Sequence, residues 1–305
     1  MTSWVRKNQL IRSVQRVESD RCGARPVKAG SRIAGREYTG MDNETIGIFG
    51  GSGFYDFAEG GVEEVAIDTP FGPPSDKLAR LNMAGRSVVF LPRHGREHSI
   101  PPHKINFRAN LWAMKQMGVT RIISPSAVGS LQADIAPGDF VINDQFVDRT
   151  NGRPDTFYDG PEVTHVSTAE PYCPTLRPLA IQAAREHGVN VHETGVAVTI
   201  QGPRFSSKAE SRWFASQGWS IVGMTQYPEV ALARELAICY VAISLVTDYD
   251  TGVQIEGGRH VEVTDIVEVM HRNVATVKKV LRTMIEAMPD RRECQCSHAL
   301  DYARM

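Results

Sequence analysis

The chain has 305 residues, enough for one large α/β domain or two modest ones, and a core of that size needs neither disulfides nor structural metal. Hydrophobic residues make up 42% and charged residues 23%, and the formal net charge is -1. That balance gives no electrostatic case for nucleic acid or an anionic membrane, and no stretch approaches the roughly 20 apolar residues of a spanning helix. A single small anion is not excluded, because it needs only a few local donors.

Residues Met1 to Gly40 are rich in Arg and Lys and show no sustained apolar period. They lack the apolar centre of a secretory signal, and Glu18, Asp20 and Glu37 argue against a transit peptide. The expectation for 1–42 is a disordered extension, or a start-site artefact with Met41 as the natural first residue. Thr45–Phe49 is then a short apolar run ending on Gly50-Gly51-Ser52-Gly53, and Ser87–Leu91 is another ending on Pro92-Arg93-His94-Gly95. The spacing of Leu111, Met114 and Met117 predicts a helix over Asn106–Met117. Arg121–Ile123 reads as a strand leading to Ser126-Ala127-Val128-Gly129-Ser130, and Phe140–Ile142 starts another extended segment. Helices follow at Leu176–His187 and Lys208–Ser216, each stopped by glycine, with strands at Gly195–Ile200 and Ser220–Val222. Pro228 opens a helix to about Leu236, because proline is tolerated in a first turn. Cys239–Val246 is a buried-type strand ending on Thr247-Asp248-Tyr249-Asp250. An amphipathic helix over about Thr264–Met288 closes the pattern.

Strands alternating with helices imply an α/β layer architecture with a largely parallel or mixed sheet. No linker or repeat divides the part after Met41, so one catalytic domain is expected over 43–289, followed by a tail over 290–305. The five cysteines, Cys22, Cys173, Cys239, Cys294 and Cys296, are scattered apart from one Cys-x-Cys pair. An odd, sparse set reads as reduced thiols in a cytoplasmic protein. Two thiols without a second pair make a weak metal site, so no metal is expected and the tail reads as flexible, with free thiols.

Polar and glycine-rich residues gather after the apolar runs, where open α/β sheets bind ligands. Gly50-Gly51-Ser52-Gly53 lets backbone N–H groups approach an anion, although it is neither a P-loop nor a dinucleotide fingerprint; a plain tight turn is the alternative. Arg93 brings a planar fork of donors suited to phosphate, and His94 could add a further N–H; the alternative is a surface pair. Ser126 with Ala127, and Thr225, repeat the theme of hydroxyls and amides after strands, where capping is the ordinary role. Convergence of four strand ends is what favours an anion site. Asp248 and Asp250 are candidates for hydrogen bonding to a base and for managing a proton; a solvated turn or helix cap is the alternative.

Together, Ile46–Gly53, Asp68–Gly72, Pro92–His98, Ser126–Ser130, Asp144–Thr150, Gln201–Ser206, Met224–Glu229 and Thr247–Asp250 resemble the trimeric purine nucleoside phosphorylase family, most closely its 5′-methylthioadenosine phosphorylase branch. The resemblance runs from about Ile46 to the last helix. It implies a single-domain mixed sheet flanked by helices, a homotrimer, inorganic phosphate as co-substrate, and no cofactor. By resemblance, Ser52, Arg93, His94, Ser126, Ala127 and Thr225 hold phosphate, and Met224 packs at the ribose and hydrogen-bonds it through its backbone. Phe205 lies against the purine, Ser206 helps place it, and Asp248, Tyr249 and Asp250 lie at the substrate. His165 looks like a histidine reaching a neighbouring subunit's 5′ pocket, and Val263 (or Val261) lines that pocket. Ser52 and Ser126 stand where threonine is usual in animal members, which keeps the hydroxyl.

The implied reaction is phosphorolysis of 5′-methylthioadenosine to adenine and 5-methylthioribose 1-phosphate. Alternatives of the same chemistry use a 5′-halo-5′-deoxyadenosine, adenosine or a 6-oxopurine nucleoside. Burial and a neighbouring carboxylate both raise an acid's pKa. Asp248 is therefore expected to keep a proton and donate it to purine N7, while its other oxygen accepts from a 6-amino group.

Overall fold

The computed structural model describes residues 44–50, 61–253 and 263–304, with the backbone alone along 263–273. The basic N-terminal segment, Ser52 and the side chain of Val263 lie outside the described residues. In chain order the strands are β1 (Thr45–Gly50), β2 (Glu63–Val65), β3 (Leu78–Met83), β4 (Arg86–Pro92), β5 (Val119–Ser130), β6 (Phe140–Ile142), β7 (Gln145–Arg149), β8 (Val191–His192), β9 (Val196–Ile200), β10 (Ile221–Gly223) and β11 (Cys239–Tyr249). The α-helices are α1 (Phe107–Gln116), α2 (Leu176–Glu186), α3 (Lys208–Ser216), α4 (Gln226–Glu235) and α5 (Val263–Glu286).

These strands form one mixed sheet, with β4, β1, β5 and β11 as its parallel centre. Parallel strands buried on both faces read as continuous apolar runs, which is why these were visible in the sequence. The pleat divides their side chains between two layers. Val88, Phe90, Val241 and Ile243 pack with α2 and α5, whereas Val89, Leu91, Tyr240 and Ala242 pack with α1 and α4. Helices therefore cover both faces. On the outer side of β4 the sheet turns antiparallel through β3 and β2.

The strand expected to end at Ile123 continues to Ser130. Its early residues lie between β1 and β11, and its last residues lie between β10 and β11. Ser126 and Ala127 are therefore strand residues, not loop residues, held by pairing with Ser244 and Leu245. β11 likewise runs on to Tyr249, with a register shift between Val246 and Asp248 that leaves Thr247 as the extra residue. Tyr227, before Pro228, is extended at φ -109 and ψ 135, so regular helix begins at Pro228.

The C-terminal segment is not a flexible tail. It belongs to the same compact unit, Asn43–Met305. Cys294, Cys296 and Ala303 are buried, and Arg292 donates to the carbonyl of Ala237 at 2.9 Å. Its polar composition hid a few apolar side chains that dock on the layer beneath α2 and α5. Among the described residues, no helix is long and apolar enough to cross a membrane.

Leu281 is fully buried in that layer. Leu281→Ala is expected to destabilise the protein by about 2–5 kcal/mol, through lost burial and an unfilled cavity. Urea denaturation measures this, and a loss below about 1 kcal/mol would contradict the packing described.

Candidate active site

Because β1, β4, β5 and β11 are parallel, their C-terminal ends share one edge. Arg93 follows β4, and its backbone N–H donates to the carbonyl of Gly50 at the end of β1, at 3.1 Å. Its side chain is buried but satisfied. Nε and Nη2 donate to the two carboxylate oxygens of Glu229 at 2.6 and 2.8 Å, and Nη2 also donates to Ser124 Oγ at 2.5 Å. The hydroxyls of Ser124 and Tyr240 each donate to the same carboxylate at 2.7 Å. Burial opposes the Arg93 charge, yet the Glu229 carboxylate holds its pKa above the ordinary value. The edge carrying Nη1 is engaged by neither Glu229 nor Ser124, and it is the edge left for an anion.

Glu229 lies one helical turn after Thr225, the buried N-cap of α4, whose side chain forms no capping hydrogen bond. Gln226, the next residue, donates to Ser244, the β11 residue paired with Ser126. Ser126 Oγ is itself buried and has no hydrogen-bond partner among the described residues. Arg93, Ser126, Ala127 and Thr225 are thus brought to one edge.

His94 departs from the expected donor role. Its Nδ1 lies 2.8 Å from the carbonyl of Ile100, to which it donates, and its ring stacks on His98 at 4.6 Å. Burial, with the neighbouring Arg93 and His98 charges, lowers its pKa to about 4, and the Ile100 carbonyl only partly opposes this. A neutral imidazole with Nδ1 protonated presents Nε2 as an acceptor. In that form His94 accepts a hydrogen bond from a protonated phosphate oxygen.

The two acids flank a single glycine. A methyl group at Gly129 would lie 3.4 Å from Asp248 Oδ2 and 3.5 Å from the Asp250 Cβ. The backbone N–H of Asp250 donates to the carbonyl of Ser130 at 2.8 Å, which fixes the end of β11 against β5. Burial raises the Asp248 pKa to about 6; Thr247 Oγ1, donating at 2.6 Å, opposes this and the Asp250 charge adds to it. Burial also raises Asp250, tempered by the nearby Ser211 and Ser206 hydroxyls. Asp250 Oδ2 and Ser206 Oγ are buried and without hydrogen-bond partners among the described residues. The Ser206 carbonyl accepts from Thr251 Oγ1 at 2.9 Å, and the Ser207–Glu210 capping box of α3 holds the same turn. Phe205, beside it, is 51% exposed, unusual for a large aromatic ring and suited to a ligand face.

Tyr249 is not brought to this cluster. The pleat turns it away from Asp248 and Asp250, and its hydroxyl donates to the Ala133 carbonyl at 3.4 Å. His165 is exposed, with its backbone N–H donating to the Ala303 carbonyl.

Two residues escaped the sequence reading. Glu229 lay inside a matching motif but carried no role there. Arg153 donates to the carbonyls of Gln201 and Met224 at 2.9 Å and of Tyr227 at 2.6 Å, joining the two loops that carry Phe205 and Met224. The neighbouring Asn-Gly and Arg-Pro pairs signal only a loop. Met224 also packs on Gly202, where a methyl group would fall 2.6 Å from its sulfur.

Arg93 and the Ser126 hydroxyl near the strand ends, the acids around Gly129 and the exposed Phe205 ring are residue types suited to group transfer. The model of the Phosphorylase superfamily matches residues 45–286, and the chain belongs to that family. S-methyl-5'-thioadenosine phosphorylase of Thermofilum pendens is 51% identical over 265 residues, covering 86% of this chain and 99% of the relative. Purine nucleoside phosphorylase of Streptomyces coelicolor is 49% identical over 265 residues, covering 84% and 94%. The solved methylthioadenosine phosphorylase of Schistosoma mansoni in complex with adenine superposes with a TM-score of 0.78 at 39% identity, covering 85% of this chain and 98% of that one.

Glu229→Ala is expected to cost about 3–5 kcal/mol of stability, because it leaves the Arg93 guanidinium buried without its counter-charge. Replacing both residues with methionine should cost less than the single change. Chemical denaturation of the wild type and the two variants tests this, and equal losses for the single and double changes would contradict the pairing.

Proposed function

We propose that this chain catalyses phosphorolysis of 5′-methylthioadenosine to adenine and 5-methylthioribose 1-phosphate. It would act as a cytoplasmic homotrimer in methionine and purine salvage, with inorganic phosphate as co-substrate and no cofactor. The observation that carries the reading is the pair of half-buried Asp248 and buried Asp250 held around Gly129, on the sheet edge that also carries Arg93 and the partnerless Ser126 hydroxyl. The Thermofilum and Schistosoma relatives are methylthioadenosine phosphorylases, which supports the substrate.

In this reading phosphate sits against the free edge of Arg93, the hydroxyls of Ser126, Thr225 and Ser52, and the amide of Ala127, with His94 Nε2 accepting its remaining proton. Arg93 stabilises the anion without surrendering a proton to it. Holding phosphate beside C1′ removes most of the entropic cost of the encounter. As the C1′–N9 bond breaks, its electron pair moves into the purine and a phosphate oxygen bonds to C1′. Asp248 gives its proton to N7 and accepts from the 6-amino group, with Asp250 and Ser206 supporting it. Phe205 covers the base and Met224 the sugar. His165 would complete the 5′ pocket of a neighbouring subunit, and Val263 would line that pocket.

The relative named purine nucleoside phosphorylase supports a second reading, with a different purine nucleoside as substrate. Turnover of methylthioadenosine, adenosine, methylthioinosine and inosine, each with and without phosphate, separates the two. Methylthioadenosine with phosphate is expected to be fastest. Equal cleavage without phosphate would indicate a hydrolase.

Asp248→Asn keeps the size but replaces a transferable proton with an amide that can donate a hydrogen bond to a 6-oxo group and cannot give up its proton. It should lower 6-aminopurine turnover by about 10²-fold or more and raise relative activity on 6-oxopurine nucleosides. The Asp248 pKa is raised, so the proton is held below about pH 6 and lost above it. At saturating phosphate, kcat/KM for the nucleoside should therefore fall as pH rises through that value, and the Asn variant should lack this limb. An unchanged base preference with an unchanged pH profile would refute the assignment.

A further inference from the structure

Four of the five cysteines, distant in sequence, meet in space. Cys173 precedes α2, Cys239 opens β11, and Cys294 and Cys296 come from the C-terminal segment. Their four sulfur atoms lie within 4.8 Å of one another. Cys173 and Cys239 supply the second pair that the Cys-x-Cys motif lacked as a metal site.

We propose that Cys173, Cys239, Cys294 and Cys296 form a tetrathiolate zinc site that fastens the C-terminal segment to the sheet. The spacing favours a metal over disulfides. Four sulfurs at about 2.3 Å from a tetrahedral zinc are about 3.8 Å from each other. The Sγ atoms of Cys173 and Cys294 are 3.7 Å apart, and those of Cys239 and Cys294 are 3.3 Å apart. A disulfide needs about 2.05 Å and joins residues in pairs, whereas here Cys294 is shared by two partners. The surroundings suit a thiolate cluster. Three of the residues are at least 97% buried and Cys294 is 9% exposed, so bulk water is largely excluded. Arg234 Nη1 lies 3.9 Å from Cys296 Sγ, where it offsets part of the cluster's negative charge. Binding zinc would release the thiol protons to solvent, with no change of oxidation state.

The role is structural. Asp248 lies nine steps beyond Cys239 along β11, about 30 Å at roughly 3.3 Å per residue. The segment that the site secures also holds the His165 loop: Thr164 bridges to Arg304, and His165 N–H donates to the Ala303 carbonyl at 2.7 Å.

The full chain, purified under reducing conditions from zinc-supplemented cells and freed of loose metal, is analysed by elemental mass spectrometry. About one zinc per chain is expected, released by an organomercurial at about four equivalents per metal. Cys294→Ser should lower the zinc content at least tenfold, or weaken retention against a chelator to the same degree. Should that variant fail to fold, the wild-type stoichiometry and mercurial titration decide the matter alone. Metal removal from the wild type should lower Tm, and an unchanged Tm would overturn the fastening role. Less than about a tenth of a zinc per chain, another metal in its place, or disulfides found by alkylation without reductant would each overturn the proposal.

Discussion

The buried pair of Arg93 and Glu229 is the constraint on which the site's arrangement rests. A guanidinium placed at the end of a parallel strand, away from water, would be costly unless its charge were met. Glu229 meets it through two hydrogen bonds and is itself held by Ser124 and Tyr240. That network joins β4, β5, β11 and α4 at one point. It leaves one edge of the guanidinium available while preventing the side chain from turning. Replacing the pair with apolar residues could equal it in stability, so stability alone does not account for it. What an apolar pair could not supply is a fixed cation facing the sheet edge.

The acids depend on a different constraint, the close pairing of β5 and β11. Asp248 lies against Gly129 because the register shifts at Thr247, which turns the strand and aims alternate side chains inward. Without that shift the pleat would face Thr247 and Tyr249 toward the site. The same neighbourhood sets the protonation. Burial dominates the rise in the Asp248 pKa, and the Asp250 charge adds to it. Local backbone geometry thus fixes an electrostatic property, and the proton expected of Asp248 follows from where β11 ends.

Much of this was legible in the chain. Buried parallel strands announce themselves as apolar runs, and the helices stopped by glycine lie within a residue or two of where their spacing places them. Positions near strand ends single out Arg93, Ser126, Thr225 and the two acids as candidates. What was hidden depended on partners far away in sequence. β5 continues past Ile123 because β10 and β11 pair with it, a fact absent from residues 124–130 themselves. The strands β2, β3, β7 and β8 are short or half polar, and only their neighbours make them strands. Glu229 looks like an ordinary helix acid until Arg93 stands opposite it. His94 looks like a phosphate donor until its Nδ1–H is seen to donate to the Ile100 carbonyl.

The cysteines carry the same lesson furthest. Counted along the chain they are unpaired, and the C-terminal segment is too polar to suggest burial. In the fold, the beginning of β11 sits among four thiols and its end carries the acid pair. One strand thus divides its duties. Its first turn of contacts secures the C-terminal segment, where soft sulfur ligands can hold a metal without entering the chemistry. Its last residues keep carboxylates half-desolvated, where bound metal would compete for them and fix their charge. The separation along β11 allows a strongly held cation in the same domain as an acid that must remain free to keep its proton.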